Sequence, residues 1–315
     1  MELIPNHVRG ILLGIEDDVG EPTPHYTDFM RCPPVLLILF NRDDTTSKVF
    51  DCIRQQRPER LFLAADGPRP DIGTDGQACQ TARAVVERVD WLCQVQRRFR
   101  SENLGCARGP ADAITWFFEN VEEGIILEDD CLPHPSFFQF AAEILEKYRN
   151  EPRIMHVSGS NFLQGHKRGR ASYYFSKWTH NWGWATWRRA WRYFDLNLLP
   201  EPYRSHIWDG AWRLSVEKQR GLAVAPNVNL VSNIGCGHPA ATHTHNSSPQ
   251  YANLKNEPMI FPLKHPLRLR RIDRYTDFTV LRDDNTLYGL FVRPVLDLSR
   301  FLPQTIKGSL KKVFG

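Results

Sequence analysis

The sequence is short of the features that would place a chain in a membrane, outside the cell or on nucleic acid. Its longest uninterrupted apolar run, Val35 to Phe40, has six residues, against the roughly 20 that a spanning helix requires, so no bilayer-spanning segment is expected. The N-terminus offers only Ile11 to Ile15 as an apolar centre, and Glu16, Asp17 and Asp18 follow where a cleavage site would lie; no signal peptide is read there. Cysteine is scarce. The seven residues are odd in number and scattered without tight spacing, which makes no disulfide framework. A cytoplasmic location is therefore expected, where the sequon Asn246-Ser247-Ser248 has no meaning. An excess of one charge is also missing: 40 Lys and Arg stand against 36 Asp and Glu, a formal +4, too little to imply a nucleic-acid partner.

What the chain does have is apolar bulk and tryptophan. Its 315 residues are 42% hydrophobic, ample for a large core. Seven of its nine Trp fall between Trp178 and Trp212.

Residues 1–30 are polar and weakly periodic and read as an extension before the fold. From Pro34 a rhythm sets in. Val35 to Phe40 and Arg60 to Ala65 are short, nearly uniform apolar runs, the pattern of strands buried on both faces. Between them Val49, Cys52 and Ile53 recur at helical spacing before Pro58. Ala78 to Trp91 reads as a helix, Cys93 to Phe99 as a strand and Pro110 to Val121 as a helix with Pro in its first turn. Gly124 to Leu127 is again a strand, Phe137 to Tyr148 a helix, and Ile154 to Val157 a strand. This alternation predicts an α/β, mostly parallel, doubly wound Rossmann-like sheet. Ligands of such sheets sit beyond the carboxyl ends of the strands, which makes Asn41, Arg42, Asp66 and Glu128 to Asp130 candidate site residues. After about residue 158 the composition turns to Gly, Trp, His and Pro, as expected of a half that caps the sheet and binds something else.

The richest segment is Gly-Ile-Ile-Leu-Glu-Asp-Asp-Cys over residues 124–131, a strand that runs straight into three carboxylates. Three adjacent buried acids need a cation or donors to offset them, and hard oxygen ligands suit Mg²⁺ or Mn²⁺; a solvated acidic turn is the plainer alternative. Asn41 and Arg42 offer an amide and a guanidinium to a base or phosphate, while Asp66-Gly67 puts a carboxylate on a tight turn, where capping is an equal alternative.

These blocks, Pro-Val-Leu-Leu-Ile-Leu-Phe-Asn-Arg, then Ala-Asp-Gly, Asn-Leu-Gly and Ile-Leu-Glu-Asp-Asp-Cys-Leu-Pro-His-Pro-Ser-Phe-Phe, resemble the GT-A nucleotide-sugar glycosyltransferases. They are most similar to N-acetylglucosaminyltransferases with a Glu-Asp-Asp form of the DxD motif and to their bacterial relatives, over roughly residues 33–245. The resemblance implies a GT-A-type fold and transfer of a sugar, with inversion, from a nucleotide-diphosphate donor, UDP-linked by expectation, to a glycan, lipid-linked or protein acceptor. It implies that Arg42 and Asp66 contact the nucleoside, with Asn41 beside them, and that Glu128 and Asp129 approach ribose and sugar. Asp130 would ligate Mn²⁺ or Mg²⁺, and Arg108 would lie near the diphosphate. The chain would then divide into the extension (1–30), a nucleotide-sugar-binding half (31–158), an acceptor and catalytic half of the same domain (159–262) and a basic C-terminal segment (263–315).

In the second half Trp182, Trp184, Trp208 and Trp212 could present a platform to a sugar ring. Alternatively, Trp184, Trp187 and Trp191 are at helical spacing and pack on the sheet. Asp209, in Trp-Asp-Gly-Ala-Trp, resembles the family's Trp-Asp-Asp-Trp segment, whose acid is the catalytic base; this chain is one residue longer and one acid poorer there, so Asp209 matches the base or its neighbour, or N-caps the following helix. Flanking aromatics would raise its pKa toward the working range. The stretch 234–245 carries Gly235, Gly237 and Ala240, a weak dinucleotide pattern interrupted by Pro239, and Cys236, His238, His243 and His245, whose spacing fits no standard zinc finger. By the resemblance His243 completes the metal shell, while His238 and His245 have no assigned role.

Two readings compete with transfer: a metal-dependent phosphoesterase using the same carboxylates and His, and a non-enzymatic carbohydrate-binding protein using the Trp-rich half. The basic end, with Arg268, Arg270, Arg271, Arg274, Lys307, Lys311 and Lys312, could rest peripherally on an anionic membrane or be an ordinary solvated surface.

Overall fold

Strands made only of apolar residues are stable where both faces are covered, and the computed structural model arranges such covers around one sheet. It describes residues 31–163, 165, 167–201, 203–238 and 254–271; the N-terminal extension, His243, His245, Arg274 and the three C-terminal lysines lie outside them. The strands are β1 Val35–Leu39, β2 Arg60–Ala65, β3 Gln94–Phe99, β4 Glu123–Glu128, β5 Cys131–Pro133, β6 Ile154–Ser158, β7 Tyr173–Ser176, β8 Trp184–Trp187, β9 Leu222–Pro226 and β10 Val231–Asn233. The helices are α1 Asp43–Gln56, α2 Asp75–Val86, α3 Gly105–Asn120, α4 Ser136–Tyr148, α5 Arg188–Trp191, α6 Tyr203–His206 and α7 Asp209–Lys218. Eight strands form the sheet in the order β3-β2-β1-β4-β8-β6-β9-β7, and β5 pairs antiparallel with β10 beside it.

The α/β class expected from the sequence is the one the chain adopts. β3, β2, β1 and β4 are parallel neighbours. One face of the sheet, with Val35, Leu37 and Leu39, is covered by Val49, Phe50 and Ile53 of α1, Ala82 and Val86 of α2, and Phe137, Phe140 and Ile144 of α4. The other, with Leu36, Phe62 and Ile126, is covered by Ile114, Phe117 and Phe118 of α3, Ala190 and Trp191 of α5, and Trp212 and Val216 of α7. A sheet clothed on both sides needs strands without a polar face, which is why these strands read as uninterrupted apolar runs.

β8 departs from the expected rhythm. Trp184 and Trp187 belong to an antiparallel strand inserted between β4 and β6, and only Arg188 to Trp191 is helical. All four residues of β8 are buried, with Trp184 in one core and Trp187 in the other. Trp184, Trp191, Trp208 and Trp212 form one aromatic cluster, with ring centroids 5.8 Å apart for Trp184 and Trp208 and 5.1 Å for Trp191 and Trp212. His156 stacks on Trp184 at 5.0 Å. Its Nδ1 accepts from Trp212 Nε1 (3.1 Å), and its Nε2 donates to the His180 carbonyl (3.1 Å). Burial pushes His156 down to about 3 and His180 down to about 4, so both stay neutral at pH 7.

The segment 254–271 runs back over these elements. Asn256 donates to the Leu132 carbonyl, and the Met259 and Lys264 amides donate to Ser136 and Ser172. No helix among the described residues is long and apolar enough to cross a membrane, and Arg268 and Arg270 are exposed.

Candidate functional site

Parallel strands that end together leave their following residues at one rim, and here that rim borders a cavity of about 300 Å³. Register fixes its floor: Glu128 of β4 pairs with Ile38, Ile38 with Ala64, and Ala64 with Arg98 of β3. Gly109, Pro110 and Ala113 of α3 line it as well, and His206 to Asp209 reach it from α6 and α7.

At the β4 end the three acids are handled unequally. Arg42, directly after β1, pairs with Asp129 and, at 3.0 Å, with Asp130. Asp129 also accepts from the Phe40 amide at 3.0 Å. Burial pushes Asp129 up to about 6, against the lowering effect of Arg42. The Glu128 carboxylate forms neither an ion pair nor a hydrogen bond with a described residue. Burial, then the charges of Asp130, Asp129 and Asp209, push it up to about 8. One guanidinium thus faces three carboxylates, and a hard divalent cation fits that donor set. The described residues hold no cluster of three or more His, Cys, Asp and Glu arranged as a metal site; ions of this class commonly take one or two carboxylates and complete their shell with water and substrate phosphates.

This corner depends on a residue that the sequence marked only as part of a weak glycine pattern. β5 and β10 bring Ile234 onto the Asp130 carbonyl (2.8 Å), and Gly235 follows. A Cβ on Gly235 would lie 2.4 Å from Asp130 Oδ2 and 2.6 Å from an Arg42 guanidinium nitrogen, so a side chain here would displace the Arg42–Asp130 pair.

The other expected residues separate into those facing the cavity and those used elsewhere. Asn41 lines it and donates to Asp75 Oδ1 (2.9 Å); Asp75 is buried and also held by Arg69, 2.8 Å between Arg69 Nη2 and Asp75 Oδ1. Asp66 lines it too, and its carboxylate accepts the Gly67, Leu104 and Gly105 amides at 2.9–3.0 Å, so it anchors the start of α3 at the cavity edge. Arg42 is likewise committed to the acids. Arg108 is exposed on α3 and is not part of the cavity lining.

Trp184 and Trp212 are corrections: both are fully buried in the core, without a face to offer a sugar. Trp182 and Trp208 do line the cavity. Asp209 also lines it, as the first residue of α7 with Trp208 in the capping position, and accepts from the Gly210 amide at 2.8 Å. It is exposed instead of enclosed by the flanking tryptophans. His238 lies 3.4 Å from Asp44, and His243 and His245 fall outside the described residues.

Sequence reasoning missed the arginines of the β3 side. Arg98 and Arg100 line the cavity and both bind Asp112 of α3, Arg98 through two bonds of 2.9 and 3.0 Å. The available signal was their spacing of two near the end of an alternating strand, which puts both on one face. Asn181 was singled out only as part of a loop; its Oδ1 is buried without a hydrogen-bond partner among the described residues, and the residue lines the cavity.

No protein-family model and no curated protein matches the chain. Solved structures similar to it include UDP-glucose pyrophosphorylase complexed with UDP-glucose (12% identity, 62% of this chain and 90% of that one, TM-score 0.35). The apo form of a UDP-glucose pyrophosphorylase is similar at 11% identity, 64% and 93% coverage and TM-score 0.37, and apo mouse xyloside xylosyltransferase 1 at 12%, 60%, 83% and 0.34. At these scores the likenesses carry no argument about chemistry, which rests on the residues of the site.

Proposed function

We propose that this chain is a metal-dependent glycosyltransferase, moving a sugar with inversion from a nucleotide-diphosphate donor, UDP-linked, to a hydroxyl of a glycan, lipid-linked or protein acceptor. The observation that carries it is the incompletely offset acidic group Glu128 to Asp130 at the end of a central strand, with Asp209 on the same cavity. The resemblance of the Glu-Asp-Asp block to N-acetylglucosaminyltransferases supports the same reading.

Each residue then has a task. Asp130, joined by His243, would hold Mn²⁺ or Mg²⁺, and the bound ion would supply positive charge against the diphosphate leaving group. Arg42 keeps Asp129 and Asp130 in place and carries part of their charge. Glu128, raised by burial and by the neighbouring acid charges, lines the same cavity and can hydrogen-bond a sugar hydroxyl. The unpartnered Asn181 Oδ1 accepts from a sugar hydroxyl, and Trp182 and Trp208 border the ring. Asp209, exposed at the cavity, takes the proton of the acceptor hydroxyl as that oxygen attacks the anomeric carbon and the C–O bond to the diphosphate breaks. Its exposure suits a base that must meet an incoming acceptor.

Incubation with a panel of UDP-sugars and Mn²⁺, with and without glycan and lipid-linked acceptors, tests this. Sugar transfer that needs the acceptor supports it. Rapid donor hydrolysis that ignores the acceptor would show a phosphoesterase instead, and metal-independent glycan binding unchanged by Asp130→Ala would show a binding protein.

A further inference from the structure

The cavity has two electrically opposite ends. At the β4 end acids exceed arginine; at the β3 end Arg98 and Arg100 share the single carboxylate of Asp112, which leaves one net positive charge. Burial pushes Asp112 up, yet Arg100 and Arg98 outweigh it and hold it below the ordinary carboxylate range, so the trio stays ionised. The neighbouring Arg83 donates to the Asp66 and Arg100 backbone carbonyls and is not part of the cavity lining. The Arg98 and Arg100 side chains are 36% and 31% exposed, and each keeps an Nη1 group without a described partner. Their planes are fixed by Asp112, and Arg98 also lies over Trp116 at 5.8 Å. Rigid, partly exposed guanidiniums with unused donors are suited to two-pronged recognition of an oxyanion.

The diphosphate of the proposed donor does not explain them. Glu128 and Arg98 stand in one register row with Ile38 and Ala64 between them. That is three strand spacings, ~14 Å of backbone separation at about 4.8 Å each, so the arginines stand on the strand at the opposite side of the cavity from a diphosphate held at Asp130. A nucleobase is neutral and gives no reason for a surplus cation. Asp209, His206, Gly109 and Asp112 line the same cavity, and α6 packs against α3, so a molecule presenting a hydroxyl at Asp209 shares one cavity with the arginine pair.

We propose that Arg98 and Arg100 form an oxyanion subsite, and that the acceptor carries a phosphate or carboxylate which it recognises, apart from the donor diphosphate. The word acceptor rests on the transferase reading; the subsite itself does not.

Inorganic phosphate, with acetate in parallel, is titrated into full-length protein saturated with UDP and Mg²⁺, and binding is read by calorimetry. Phosphate binding stronger than acetate identifies a phosphate acceptor group, and the reverse a carboxylate. In either case Arg98→Gln and Arg100→Gln should each weaken the anion at least fivefold with UDP affinity kept within twofold. Asp112→Asn, which adds a net positive charge at the same place, should tighten it severalfold, a change that loss of fold cannot mimic. Anion binding equal in all four proteins overturns the proposal, as does a fall in UDP affinity that tracks the loss, since the pair would then belong to the nucleotide. If wild-type protein binds no UDP, the transferase reading fails, and the same titration of unloaded protein still decides the subsite.

Discussion

Gly235 shows how much of the candidate site rests on single atoms. The Glu-Asp-Asp block announces itself in the sequence because three acids after an apolar run are costly to bury. That Arg42 spans two of them, and that Gly235 must be bare for it to do so, depends on β10 lying beside β5, which no local pattern encodes. Gly235→Ala should displace the Arg42–Asp130 pair and weaken metal-assisted UDP binding about tenfold, or about 1.4 kcal/mol, as measured by calorimetry. The tryptophans carry a related lesson. Composition marks the cluster, but Trp182 and Trp208 border a cavity while Trp184 and Trp212 fill a core, because a strand or helix decides which way each ring points. Asp66 and Arg42 carry a further lesson: a polar side chain near a site is also used by its own backbone or by its neighbours.

At the scale of elements, strands were legible and their partners were not. β2 occupies the residues its apolar run predicts, and β1, β4 and β6 differ by a residue or so at their ends. α3 was expected from Pro110 but begins at Gly105, since its first amides are received by the Asp66 carboxylate from the end of β2. A cap supplied from another element leaves no trace in the helix's own sequence. Asp66→Ala should therefore cost about 1–2 kcal/mol, the usual loss of a capping side chain, measured by urea denaturation, with Asp66→Asn losing less. β8 was obscured for a different reason: Trp184, Trp187 and Trp191 at spacings of three and four imitate a helix, and burial on both faces removes the alternation that would reveal a strand.

At the scale of the whole molecule, buried titrating groups pull stability in opposite directions with pH. His156 and His180 are pushed down to about 3 and about 4 in the fold, against about 6.5 when unfolded. Their contribution is complete above about pH 6.5 and is lost as pH falls toward 4, because the unfolded chain takes up protons that the fold refuses. The steepest slope from the pair is about 3 kcal/mol per pH unit. Glu128 and Asp129 are raised by burial, so their contribution is present at low pH and lost as pH rises, through about 8 for Glu128. The carboxyl loss begins where the unfolded carboxyls ionise, at about pH 4, and so nearly cancels the histidine gain between about pH 5 and 6. The metal-free protein should be most stable at about pH 6, losing stability below about pH 5 through the histidines and above about pH 7 through Glu128, and Mg²⁺ with UDP should flatten the alkaline arm alone. Unfolding free energies from urea titrations between about pH 4 and 9, with and without the ligands, check both signs.

The central claim is that the acidic strand end receives a nucleotide through a divalent metal. Its most direct test is calorimetric titration of UDP into wild-type protein and Asp130→Ala, each with and without Mn²⁺. Wild-type binding should need Mn²⁺, and Asp130→Ala should weaken it at least tenfold while its unfolding transition stays cooperative. UDP binding that is indifferent to Mn²⁺, or intact in Asp130→Ala, would contradict the claim.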